Sequence, residues 1–419
     1  MTQHILQAFL GIFVFFAFCW FFSENRRHIK PLHILIGLVA QFSIAALIMH
    51  VDIVRNLFVY LSKGVIAVRD ATLQGTSFVF GFVGGGPLPF EVKGNTFVFA
   101  FQVLPMIMVV SALSMLLFYW RILPAFVKVL SWGLRKTLGI GGALGVCSAA
   151  QIFLGQTDAP LLIRPYLKSM SRSEIFSIMC MGFATTSATI MGLYALVLEQ
   201  SVPQSMVHIL TASIISIPAA LSLSRMVVPP SNDVQTEGEI VLPYEFSGSM
   251  DAISRGTSDG IRLFINVVAM LIVFVALVAL VNKGLGLLPD VMGESISLQR
   301  ILGALMAPLS WLMGIPWAEA KTAGALLGIK TILNEFYAFT ELAKMGDGEL
   351  SVHSRVIMTY ALCGFANISS IGIVIGAFGA IVPEKRAEII GLSLKALIVG
   401  TLASCLSGSV VGILWWAAS

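Results

Sequence analysis

The sequence predicts an all-α integral membrane protein, with about eight transmembrane helices plus two re-entrant helical hairpins in an inverted repeat, accompanied by interfacial amphipathic helices. Three observations carry that expectation. Of 419 residues, 57% are hydrophobic and 11% charged, with a mean hydropathy of +0.90; soluble domains carry roughly a quarter charged residues. Apolar runs of about 18 residues or more, long enough to span, recur along the whole length. Two stretches, 151–166 and 312–339, are too polar at their centres to span and too apolar at their flanks to be loops. The net charge of +4 is spread over loops without a basic block, which argues against nucleic acid as a partner. Cys19, Cys147, Cys180, Cys363 and Cys405 lie in or beside apolar segments without metal-ligand spacing, and read as reduced packing residues.

The first span covers 5–22. No basic n-region and no small-residue cleavage site accompany it, so it reads as a retained helix. Arg26, Arg27 and Lys30 follow in a short loop, which the positive-inside rule places in the cytoplasm, with the N-terminus outside. A second span, 32–50, returns outward. Residues 52–69 alternate charge and apolar bulk at helical spacing, as an interfacial helix does, and the Gly-rich 81–94 reads as loop. A third span, 96–119, leads to Arg121, Lys128, Arg135 and Lys136, again cytoplasmic.

The first broken stretch is therefore entered from the cytoplasm. Gly155 and Pro160 stop the helix, while Gln156, Thr157 and Asp158 place donors and acceptors at the break. Arg164, Lys168 and Arg172 lie just beyond with no full span between, so the chain dips in and returns as a re-entrant hairpin. Spans at 175–198 and 205–223 follow, then the longest polar linker, 225–262, and a sixth span, 263–282. The second broken stretch, 312–339, is interrupted by Gly314, Pro316, Glu319, Lys321, Asn334 and Glu335, and reads as a hairpin entered from outside. A seventh span, 356–381, runs to a cytoplasmic loop at 383–388, and an eighth, 389–416, ends outside.

An internal repeat supports this plan. Gly182-Phe183-Ala184-Thr185-Thr186-Ser187 matches Gly364-Phe365-Ala366-Asn367-Ile368-Ser369 at Gly, Phe, Ala and Ser, each copy follows a broken hairpin, and the two run in opposite directions. That is the inverted architecture that permits alternating access. It divides the chain into scaffold parts at 1–119 and 225–300 and transport repeats at 120–224 and 301–419.

Ionisable and amide groups at membrane depth are costly, so those inside the core segments are functional candidates. They are Gln151, Gln156, Thr157, Asp158, Glu319, Asn334, Glu335, Asn367, Ser369 and Ser370. Helix–helix glue is the bland alternative, and it suits Thr185, Ser187 and Ser369. It suits Asp158 and Glu335 poorly, because neither has a cation three or four residues away. Carboxylates, amides and hydroxyls with Phe183 and Phe365 close by suit a neutral polyhydroxylated ligand with an aromatic face. A nucleoside has these features; a sugar or an amino acid would use similar groups.

In GQTDAPLL (155–162), NEF (334–336) and GFANISS (364–370) the chain resembles the concentrative nucleoside transporters over nearly its whole length. The resemblance implies a cation-coupled symporter of the bacterial inner membrane, a homotrimer whose transport domain moves as an elevator, with a nucleoside as partner and no cofactor beyond the coupling ion. It implies that Gln156, Thr157 and Asp158 meet the nucleobase, that Glu335, Asn367 and Ser370 hold the ribose, and that Ile190 and Phe365 complete the site. It further implies a Na+ site at Gln151, Leu154, Thr185 and Thr186. Two positions depart from the commoner pattern. The hairpin acid is Asp158 where Glu is usual, one methylene shorter. Sodium-coupled members resemble AANIF where this chain has Ala149-Ala150-Gln151-Ile152-Phe153, and the longer Gln would displace the ion. Proton coupling, with Glu335 or Asp158 as carrier, stands beside sodium coupling. A gated channel or a carrier for another small polar solute is the alternative. An intramembrane hydrolase fits poorly, since the sequence has no HExxH and no histidine among the candidate residues.

Overall fold

A computed structural model describes residues 2–89, 97–230, 236–241, 245–290, 295–346 and 348–418, and the regular structure among them is helical throughout. Helices α1 (Thr2–Phe21) and α2 (Pro31–His50) form the first two crossings. Helix α3 (Asp52–Phe80) is the expected amphipathic helix, but it continues past 69, through Gly75, and stops at Gly81, at φ 60°. The Gly-rich stretch then opens with a 3-10 turn, Gly81–Gly84, held by the Thr76 hydroxyl donating to the Gly84 carbonyl; residues 90–94 of that expected loop lie outside the described residues. Helices α4 (Phe99–Gln102) and α5 (Met106–Tyr119), jointed at Pro105, make the third crossing. Helix α6 (Ile122–Leu138) is amphipathic and carries Arg135 and Lys136 in its last turn.

The first hairpin is α7 (Gly142–Asp158), interrupted at Gly155, followed by a 3-10 segment (Ala159–Ile163) and α8 (Arg164–Leu167). The span expected at 175–198 is two half-helices, α9 (Arg172–Ala184) and α10 (Ala188–Leu198), joined by extended backbone at Thr185 and Ser187. Helix α11 (Ser205–Val227) is continuous, and α12 (Ser249–Leu285) takes residues 249–262 out of the expected linker. Helix α13 (Leu298–Leu312) meets α14 (Trp317–Ile332) at an angle of 116°. Gly314 and Pro316 form that elbow, so they do not form the tip of the second hairpin. The hairpin itself is α14 and α15 (Glu335–Lys344), turning at Leu333 and Asn334. The span expected at 356–381 is also broken, into α16 (Val352–Leu362) and α17 (Ile368–Ile381), and α18 (Arg386–Ala418) closes the chain. Among the described residues, seven helices, counting α4–α5 and α9–α10 as one each, are long and apolar enough to cross a membrane, and α17 is a shorter apolar helix.

The order amphipathic helix, hairpin, broken helix, long helix therefore occurs twice: α6 to α11, then α13 to α18. The two long helices lie at the centre, with 83% of the apolar window of α11 and 78% of that of α18 buried, against 6% for α12. Hydroxyls and an amide stitch the centre together: Gln41 donates to Ser407 at 3.1 Å, and Ser407 pairs with Ser216 at 3.1 Å, tying α2, α11 and α18. At one end, Glu24 receives Arg172 at 3.0 and 3.1 Å and Lys395 at 2.8 Å, joining the α1–α2 turn to both repeats. The Arg172 hydrogen bond, more than any other influence, holds the Glu24 carboxyl down to about 2. That pairing therefore persists at neutral pH and is lost only as acid protonates Glu24.

The charge pattern expects the hairpins to be entered from opposite faces. Single cysteines at Ser169 and Gly346, in a cysteine-free background, should react with impermeant thiol reagents from the cytoplasm and the periplasm respectively. Labelling of both from one side would remove the inverted repeat.

Candidate functional site

The site is built where helices stop. Gly155 adopts φ 80°, ψ −174°, and a Cβ there would sit 2.9 Å from the Ser187 Cβ. Only glycine combines that backbone with so close a neighbour. Gly364, at φ 137°, brings the second break against the first, and a Cβ on it would lie 2.8 Å from the Phe183 carbonyl oxygen. The Phe365 amide then donates to the Thr185 carbonyl at 3.3 Å, and the Thr186 hydroxyl meets the Cys363 thiol at 3.5 Å. The two matching GFA segments thus cross one another at their breaks. Ser213 satisfies the exposed backbone from α11, accepting from the Thr186 amide and donating to the Thr186 carbonyl, both at 3.3 Å.

Around this crossing lies a cavity of about 410 Å³. Gln156, Thr157, Asp158, Ile190, Glu335, Phe365, Asn367 and Ser370, all eight residues expected to contact substrate, border it. Four helical segments begin at its wall: the one after Gly155, α10 after Ser187, α15 after Asn334 and α17 after Asn367. Each presents the positive end of its dipole to the cavity. The far wall is a stripe of α12.

Glu335 is the best-held group in the cavity. It is 5% exposed, the Tyr194 hydroxyl donates to Oε1 at 2.6 Å, and the Asn367 amide donates to Oε2 at 3.0 Å. The Asn367 oxygen in turn caps α17, accepting from the Ser370 amide and hydroxyl at 2.9 Å each and from the Ser369 hydroxyl at 2.7 Å. Asn334 caps α15 in the same way, accepting from the Tyr337 amide at 2.8 Å. Lys330, one turn before the tip, is fully buried and donates to the Ala361 carbonyl at 2.7 Å and the Ser404 hydroxyl at 3.0 Å, anchoring this hairpin arm to α16 and α18.

The first hairpin is held more loosely. Asp158 faces the cavity, with the Thr157 hydroxyl at 3.3 Å, and the buried Gln156 side-chain oxygen has no hydrogen-bond partner among the described residues. Leu154 lies at the cavity edge; Gln151, Thr185 and Thr186 are fully buried and do not border it. The Gln151 amide nitrogen donates to the Ile178 carbonyl at 2.9 Å, which leaves its buried oxygen without a partner among the described residues.

Several expectations shift. Phe183 is fully buried against Gly400 and does not border the cavity. Glu319 sits at the hairpin base, accepting from the Ser351 amide at 3.1 Å and hydroxyl at 3.0 Å, which is a tethering role. Ser187 and Ser369, read as glue, border the cavity; Thr185 bonds back within its own helix, to the Met181 carbonyl at 2.9 Å. Tyr194 and Lys330 were not singled out by the sequence. Lys330 could have been, as a cation inside an apolar arm.

Known proteins decide what this arrangement belongs to. Residues 10–83 and 208–412 match the N- and C-terminal parts of the Na+ dependent nucleoside transporter family, and 100–201 match a gate domain described as nucleoside recognition. The nucleoside permease NupC of Helicobacter pylori is 37% identical over 413 residues, 97% of each chain. The chain belongs to the concentrative nucleoside transporter family. It is a membrane transport protein, not an enzyme. The concentrative nucleoside transporter CNTnw, solved in an inward-facing substrate-bound state, superposes with TM-score 0.88 at 32% identity, covering 98% of this chain and 99% of that one. A doubly substituted CNTnw in an outward-facing state superposes with TM-score 0.89 at 31% identity, covering 99% and 98%. A concentrative nucleoside transporter solved facing either side supports alternating access for the fold.

Tyr194→Phe removes one of the two donors holding Glu335 without changing ring volume. Unfolding free energy should fall by about 1–3 kcal/mol, the cost of leaving a buried acceptor short. The readout is the thermal midpoint in detergent. An unchanged midpoint would mean that the carboxylate finds another donor.

Proposed function

We propose that this chain is a bacterial inner-membrane symporter that imports nucleosides such as uridine, moving its two repeats as an elevator against a fixed scaffold. The observation that supports this reading best is the cavity where the Glu335 carboxylate, bonded by Tyr194 and Asn367, shares one space with the Gln156 amide and the Phe365 ring. A ribose hydroxyl both donates and accepts, so it can donate to Glu335 while accepting from Asn367 or Ser370. Gln156 offers an unpartnered oxygen and two N–H donors to a base edge, with Thr157 and Asp158 beside it. Ile190 and Phe365 supply the apolar faces that cover a planar base. The moving parts are 120–224 and 301–419 and the fixed parts 1–119 and 225–300, with both termini outside. The 6% burial of the α12 window leaves an apolar helix that a homotrimer would cover.

The proposed coupling ion is a proton, carried by Glu335. On protonation the acid can donate to the Tyr194 oxygen in place of accepting from it, so the carboxyl gains and loses a proton without losing its partner. A sodium ion is the second reading, favoured by the orphaned oxygen of the fully buried Gln151, a hard ligand, with Thr185 and Leu154 as further ligands. In that reading Thr186 would contribute as well.

Glu335→Gln and Asn367→Ala should each weaken uridine binding about tenfold to a hundredfold, as loss of a buried bond to a charged group does. Calorimetry showing wild-type affinity in both would refute the ribose assignment. In proteoliposomes, an inward proton gradient without sodium should drive uridine uptake, and Gln151→Asn should gain partial sodium dependence. Uptake that requires sodium and ignores the pH gradient would overturn the proton reading in favour of the Gln151 site.

A further inference from the structure

We infer that Asn266, on the scaffold span α12, is a specificity-determining contact that reads a hydrogen-bonding group of the nucleoside from the fixed side of the cavity. The inference rests on the proposed nucleoside site and adds to it a residue outside both repeats. The residues of α12 that border the cavity are Leu263, Asn266, Val267, Met270 and Leu271. Their spacing of three, four, seven and eight from Leu263 defines one helical stripe, so α12 presents a single continuous face to the site. From Leu263 to Leu280 every side chain but one is apolar, and the exception is Asn266.

Asn266 stands one turn inside the apolar run of α12, counted from Arg262, and an amide there is unfavourable unless something uses it. Of the other amides at this cavity, Asn334 caps α15, Asn367 caps α17 and holds Glu335, and Gln156 belongs to the first hairpin, so Asn266 is the amide that the α12 wall contributes. Asn266 lies mid-helix, where the backbone of α12 is already paired, and its side chain is exposed with no hydrogen-bond partner among the described residues. Both its acceptor and its two donors remain available to whatever occupies the cavity. A ribose hydroxyl or the amide edge of a base matches that pair of functions; an apolar face does not.

The placement has a kinetic meaning. Gln156, Glu335 and Asn367 belong to the repeats and travel with the substrate, whereas Asn266 stays with the scaffold. A contact made from the fixed side is present for only part of the cycle. It therefore acts on which substrate crosses fastest, in addition to which substrate binds best.

The test is uptake by wild type and Asn266→Leu of uridine, its 2′-, 3′- and 5′-deoxy analogues, and cytidine, with Asn266→Gln as the amide-retaining variant. Asn266→Leu should lower kcat/KM for uridine about three- to tenfold, the worth of one neutral hydrogen bond. One analogue, lacking the group that Asn266 reads, should be carried equally by both proteins, and Asn266→Gln should restore part of the discrimination. Uniform loss over all substrates, no change for any, or an altered oligomeric size on gel filtration would each overturn the inference, the last by assigning Asn266 to a contact between copies. Glu335→Gln, run alongside, separates the two levels. If it leaves uridine uptake untouched, the nucleoside site itself is wrong. If it impairs uptake while Asn266→Leu changes nothing, only the scaffold contact fails.

Discussion

A bilayer gives an interrupted helix no water to lean on, so every break at membrane depth must be closed by the protein itself. The architecture follows from that constraint. The break at 185–187 and the break at 363–367 close each other, through the Phe365 amide on the Thr185 carbonyl, and Ser213 completes the pairing from α11. The approach is close enough that Gly364 leaves no room for a side chain. Asparagine caps finish the remaining ends at α15 and α17. The cavity is the space that these closures leave between them, and its polar lining consists largely of the groups that terminate the helices.

This explains which parts of the molecule could be read in advance. Spans, hairpins and the cavity-lining Gln156, Asp158, Glu335 and Asn367 were legible because a carboxylate or amide inside an apolar segment stands out against its surroundings, whereas Ile190 and Phe365 came from the family resemblance. The breaks inside two spans were not. Thr185, Thr186 and Ser187, or Cys363 to Asn367, pass as span in a hydropathy average because apolar neighbours outweigh them, and the partner segment completes each break. The second hairpin was placed early because Gly314 and Pro316 are stronger breakers than Leu333 and Asn334, yet they serve an elbow. Helix α3 runs past 69 because a lone glycine, Gly75, does not end a helix. Tyr194 was passed over because a phenol counts as apolar until its hydroxyl finds the Glu335 carboxylate, 141 positions away in sequence. Phe183 was misplaced because identity within a repeat does not fix which copy faces the cavity.

The two hairpins differ in how firmly they are held. The second has its tip capped by Asn334, its acid clamped from two sides and its arm tied down by the fully buried Lys330. In the first, the Gln156 oxygen has no partner among the described residues and Asp158 has a single weak one. In the proposed reading, the stiff wall meets the part common to all nucleosides and the adaptable wall meets the part that varies. A polar group preset by its neighbours loses little entropy on binding, and one that is not preset can rearrange for different bases.

The clamp on Glu335 also bears on the half of the cycle in which nothing is carried. A carrier that imports must bring its vacant binding site back across the membrane, and a bare carboxylate would make that homeward leg expensive. Tyr194 and Asn367 both donate to the carboxylate, so in the proposed reading the protein furnishes its own substitute for the ribose hydroxyls. In that reading, turnover depends on how readily the two side chains surrender the acid to an arriving sugar and reclaim it once the sugar has left.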